Sequence, residues 1–142
     1  MAKKLNSLEY SETRFKDQIL SGKKRLTNRH LNQRKITAIY KKKEIEHTQD
    51  NKAFATSEPY KIYHSKITKR GPLVKIGNMW TRIGKIAFAH LDGFETYEEM
   101  YEWLEKNYNE PPDKADWMTI TWKPGTVKQT KLSGKIGELK IG

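Results

Sequence analysis

A small mixed α+β fold with a curved or closed sheet is what this sequence predicts, and three observations predict it. A capped, amphipathic helix is written into residues 97–108. Two segments, 60–67 and 117–122, alternate in the manner of half-buried strands. The chain shows no alternation of strand and helix in βαβ units. It also lacks the G-x-G-x-x-G and G-x-x-x-x-G-K-[ST] patterns that would announce a dinucleotide or P-loop fold.

The first helix is expected from Glu12 to Leu20. Ser11 stands where a hydroxyl can accept from first-turn amides, and Phe15 and Ile19 share a face. Gly22 suits the left-handed residue that closes such a helix. Residues 36–40, rich in β-branched and aromatic side chains, read as a strand, and residues 41–51 as a polar loop. Strands are expected at 60–67, 73–76 and 80–89, the last bulged near Gly84. In the second helix Thr96 and Glu99 form a capping box, with Tyr97, Met100, Tyr101, Leu104 and Tyr108 along one stripe. Residues 117–122 supply the closing strand. Beyond Pro124-Gly125, the Lys- and Gly-rich end reads as one more strand near 126–132 or as a basic tail. The domain is accordingly placed at residues 1–123, with 124–142 as an extension. Phe88, Phe94 and Trp80 are expected in the core.

The 142 residues suffice for one domain with a real core. No cysteine is present, so disulfides and a thiol nucleophile are excluded. The four histidines lack metal-site spacing, and no metal or cofactor is expected. No apolar run approaches a membrane span, and the basic start is not followed by a signal-peptide core, so a cytoplasmic protein is expected.

Charge is segregated. The formal net charge is +11, yet residues 92–122 hold nine acidic against two basic side chains. A basic body of this kind attracts polyanions, which points to nucleic acid, RNA before DNA, or a nucleotide as partner.

The densest local signal runs from Phe15 through Ile19-Leu20-Ser21-Gly22-Lys23-Lys24 to Thr27 and Arg29. A second block joins Gly84-Lys85-Ile86 to Leu91-Asp92-Gly93-Phe94-Glu95-Thr96. Together they resemble ASCH domains, a PUA-like family, over about residues 5 to 123. Arg25 stands where the family usually has Thr. The resemblance implies a small PUA-like β-barrel with flanking helices, and a cleft lined by the Gly-Lys-Lys-x-x-Thr loop. It also implies RNA binding or, as in some small members, hydrolysis of acylated cytidine or of RNA. The family's Lys, Thr and Glu catalytic set corresponds here to Lys24, Thr27 and Asp92, the last one methylene shorter than Glu.

Three functions therefore stand as expectations. The first is a nucleic-acid module using Lys23, Lys24, Arg25, Arg29 and Arg34, with Tyr63 for stacking and Lys128 and Lys131 for phosphate contact. In that reading Thr27 is simply a strand residue and Asp92 a turn residue. The second is a small hydrolase, amidohydrolase or ribonuclease, in which Lys24, its pKa lowered by burial or by neighbouring cations, acts with Thr27 and Asp92. The third is an accessory protein docking a transcription or translation component through its acidic helix.

Overall fold

The computed structural model describes residues 4–130. The chain begins with β1 (Ser7–Tyr10), α1 (Thr13–Ser21), β2 (Leu26–His30) and α2 (Gln33–Lys42). Five strands follow: β3 (Ile45–Gln49), β4 (Lys52–Ser57), β5 (Pro59–Thr68), β6 (Gly71–Ile76) and β7 (Met79–Arg82). Then come α3 (Lys85–Leu91), α4 (Tyr97–Tyr108), a 3-10 turn (Pro112–Lys114), β8 (Trp117–Trp122) and β9 (Lys128–Gln129).

The fold class is α+β, as expected. The strands form two open sheets, in the orders β1-β3-β4-β9 and β2-β8-β5-β6-β7. All pairings are antiparallel except β1 with β3. Neither sheet closes on itself among the described residues, so the expected barrel is corrected to a pair of open sheets. The core between them and the helices holds Leu8, Phe15, Ile19, Ile45, Ile67, Met100, Trp117 and Ile120. None of the helices among the described residues is long and apolar enough to cross a membrane.

The α4 helix forms as its periodicity dictates, with Tyr97, Met100, Tyr101 and Leu104 buried. Thr96 Oγ1 accepts from the Glu99 amide at 3.0 Å. Glu99 reaches one residue further back than the usual box, accepting from the Glu95 amide at 3.1 Å. α1 ends where expected, with Gly22 left-handed at φ 85° and its amide donating to Ile19 O. It begins a residue late, however. Glu12, not Ser11, occupies the cap position, with no side-chain cap.

Three of the expected elements are overturned. Residues 36–40 are helical, within α2. Asn32 Oδ1 accepts from the Lys35 amide at 3.1 Å, and Ile39 is buried beside half-buried Ile36, a spacing of three that serves a helix. Strand preference of β-branched residues is mostly a statement about packing, and here the packing face is helical. Residues 41–51 contain β3 instead of a loop. Its His47 and Thr48 are buried polar groups, whose hydrogen bonds are made inside the fold and so do not look like core residues in a sequence. Residues 80–89 are not one strand. β7 stops at Arg82, Gly84 turns the chain, and the Ala-containing stretch after it forms α3, burying Phe88 and Ala89. Gly84 marks a helix start and not a bulge. Trp80 is not core either, at 37% exposure, whereas Phe88 and Phe94 are buried.

A cavity around the Lys24–Asp92 pair

The basic stretch after α1 is pinned at both ends. The Lys24 amide donates to Gln18 O at 3.0 Å, and the Arg25 amide to Leu91 O at 2.8 Å, which ties the loop to the end of α3. β2 then pairs with the interior strand β8, Thr27 opposite Ile120. This sets Lys24 pointing inward. Its side chain is 2% exposed and Asp92 is 3% exposed. The Lys24 ammonium donates to the Asp92 backbone oxygen at 2.7 Å and to its carboxylate Oδ1. The other carboxylate oxygen accepts from Asn28 Nδ2 at 2.9 Å.

A buried chain fixes that amide. Thr119 Oγ1 donates to Asn28 Oδ1 at 2.6 Å, and Ser65 Oγ lies 2.5 Å from Thr119 Oγ1. With its oxygen occupied by a hydroxyl, Asn28 can only present its NH2 to Asp92. Taking two charges out of water is expensive unless their remaining hydrogen-bonding capacity is met. Here Asp92 has Lys24 and Asn28, and Lys24 has two Asp92 oxygens. Burial lowers the Lys24 pKa and raises that of Asp92, and each partner's opposite charge opposes the shift. Both groups are thereby moved toward the neutral form.

The pair forms one wall of a cavity of about 210 Å³. Thr27 and Arg29, two apart on β2, contribute to it, and Arg29 Nε donates to Thr27 Oγ1 at 3.3 Å. The Arg29 guanidinium lies 4.9 Å from the Tyr10 ring centroid. It has no ion-pair partner among the described residues. The apolar side is aromatic: Phe15 meets Trp103 edge-on at 5.3 Å and Phe94 at 5.7 Å. Trp103 Nε1 is anchored by the Glu12 carboxylate. Behind Tyr10, its hydroxyl pairs with His47 Nδ1 at 2.9 Å, and His47 Nε2 with Ser57 Oγ at 2.8 Å.

Lys24, Thr27, Asp92 and Arg29 are thus brought together, but the rest of the expected cation cluster is not. Lys23 is exposed outside the cavity, 3.8 Å from Glu95. Arg25 is exposed and donates to Gly22 O at 3.2 Å. Arg34 is exposed on α2 and Lys128 on β9. Tyr63 belongs to a separate apolar groove with Leu26, Phe88 and Leu91. Lys131 lies outside the described residues. Asn28, Tyr10 and Trp103 are cavity residues that sequence reasoning did not single out. Asn28 sits inside the motif itself, between Thr27 and Arg29, but nothing local says that an amide there faces a carboxylate 64 positions away. Among the described residues no cluster of His, Asp and Glu is arranged to hold a metal ion.

No family model matches the chain, and neither does a curated protein or a solved structure.

Gly93 follows Asp92 in the turn that leaves α3. It has φ 92°, and a Cβ there would lie 2.1 Å from Gln18 Oε1, whose amide nitrogen donates to Gly93 O at 3.0 Å. Gly93→Ala is expected to destabilise the protein by about 1–3 kcal/mol through left-handed strain and displacement of Gln18. Urea unfolding of the two proteins checks this.

Proposed function

We propose that this chain is a small hydrolase of ASCH type that cleaves an amide-linked acyl group from a nucleoside-sized substrate such as acylated cytidine. The observation that carries the reading is the convergence of Lys24, Thr27 and Asp92 on one cavity, with Lys24 and Asp92 buried as a directly bonded pair. An ordinary surface phosphate contact would not need a lysine removed from water. A lysine serves as a base only when neutral, and burial favours that state.

The residues divide the work as follows. When the shared proton sits on Asp92, Lys24 is a free amine and accepts the Thr27 hydroxyl proton as Thr27 Oγ1 adds to the acyl carbonyl carbon. The proton then passes to the departing amine as the carbon–nitrogen bond breaks, and water releases the acyl group from Thr27. Arg29, held between Thr27 and the Tyr10 ring, supplies positive charge for the developing oxyanion. Asn28 keeps Asp92 aimed at Lys24. The shorter acid at position 92 is no obstacle, because the end of α3 brings its carboxylate into direct contact with Lys24. The cavity is smaller than sites for drug-sized ligands, which start at about 300 Å³, and its aromatic wall suits a single base.

The test is turnover of acylated cytidine by the purified full chain, followed chromatographically. Thr27→Ala is expected to lower the rate by about 10²–10⁴-fold while Thr27→Ser retains measurable activity. A wild-type protein inert on acylated cytidine, or a Thr27→Ala protein as fast as wild type, rejects the reading.

A further inference from the structure

We propose that the exposed face of β5, β6 and β7 is a second binding site, for single-stranded nucleic acid, built on Trp80. The face lies outside the cavity and does not depend on the hydrolase reading.

A large indole left in solvent needs an explanation, since Trp is among the most buried side chains on average. Trp80 lies on the edge strand β7 opposite Lys75 of β6. Lys66 of β5 is opposite Leu73, which in turn is opposite Arg82, so Lys66 and Arg82 share this face. Lys66 Nζ lies 5.1 Å from the Trp80 ring centroid and Lys75 Nζ 6.0 Å. The His64 ring stands edge-on to the indole at 5.0 Å, its Nε2 held 2.9 Å from Asp116. The indole is therefore braced by neighbours on its own sheet while 37% of its surface remains open.

This combination has a specific use. A braced aromatic ring offers a stacking platform to any base, and the cations beside it can receive the adjoining phosphates. Single strands present unstacked bases to such a platform, whereas a duplex keeps them inside its stack. Among the described residues Asp116 is the one carboxylate paired to this patch, and it is engaged by His64 and, at 3.9 Å, by Lys66. That leaves Lys75 without a carboxylate partner among the described residues, while Arg82 Nη1 donates to Gly71 O at 3.1 Å. An acidic protein surface would be drawn by the same lysines but has no need of the open ring, so the indole favours bases as the occupant.

The experiment is fluorescence anisotropy of a labelled oligothymidylate with the full chain at low salt, with a duplex of equal length as comparison. Single strand is expected to bind more tightly than duplex. Trp80→Ala should weaken single-strand binding by about 5- to 150-fold, the range for losing one stacked base, while Trp80→Phe keeps most of it. Lys66→Ala with Lys75→Ala should lower the salt slope by about 1.4, two single-strand phosphate contacts. Thermal melts establish that each variant is folded. If Trp80→Ala fails to fold, the Trp80→Phe and paired lysine variants carry the test. No binding by wild type, equal binding of duplex, or a single-strand affinity indifferent to Trp80 and to both lysines would overturn the proposal. Turnover of acylated cytidine should be unchanged in all these variants, so this site and the cavity can fail separately.

Discussion

Lys24→Met is expected to abolish turnover and to cost about 3–5 kcal/mol of stability, because it leaves the Asp92 carboxylate buried without its cation. Loss of activity alone would not separate a catalytic lysine from a structural one. The double variant Lys24→Met with Asp92→Leu does. Replacing a buried ion pair by apolar groups of similar size is often neutral or stabilising, so much of the lost stability should return. The recovery stays incomplete, since Asn28 Nδ2 then loses its acceptor, at about 1–3 kcal/mol. Activity should not return at all. Urea unfolding and the acylated-cytidine assay, run on both proteins, read the two quantities. A double variant that regains turnover along with its fold would show that the pair serves only to hold the structure.

Acid is expected to unfold the protein through His47. This ring is buried beneath the cavity, between Tyr10 and Ser57. Burial, together with the positive charges of Arg29 and Lys24, lowers its pKa to about 3. Tyr10, whose own pKa burial raises, keeps its proton and donates to Nδ1, which leaves Nε2 to donate to Ser57. Charging His47 would require Nδ1 to donate and the Tyr10 hydroxyl to turn from donor to acceptor. In the unfolded chain the same side chain titrates near about 6.5. Between those values the unfolded state binds more protons, so stability is full above the unfolded pKa. It falls as the pH drops from there toward about 3. The slope approaches about 1.4 kcal/mol per pH unit. Asp92 acts in the opposite sense, since its raised pKa makes the folded state the better proton binder just above the ordinary carboxylate range. Urea titrations between about pH 4 and pH 8 should show the net decline, and His47→Gln should flatten it. A wild-type slope that matches the Gln variant would place the acid sensitivity elsewhere.

What could be read from the sequence was whatever a few neighbouring residues encode among themselves. Gly22 closes α1, Thr96 opens α4, the stripe from Tyr97 to Leu104 turns inward, and Trp117–Trp122 forms a strand, each from its own caps or periodicity. Lys24, Thr27 and Asp92 were singled out as a set only through the resemblance of their two sequence blocks to a known family. Tertiary structure decided the remainder. Residues 36–40 and 85–91 became helices because Ile39 and Phe88 had a helical face to bury, against a strand-like composition that carries little free energy of its own. It also decided that one lysine of a basic run leaves water while Lys23 and Arg25 stay in it, and that Trp80 stays out of the core. Whether a charge is buried depends on a partner 68 positions along the chain and on the hydrogen bonds waiting beside it. No local pattern encodes that, because the desolvation cost is met only once distant segments have come together.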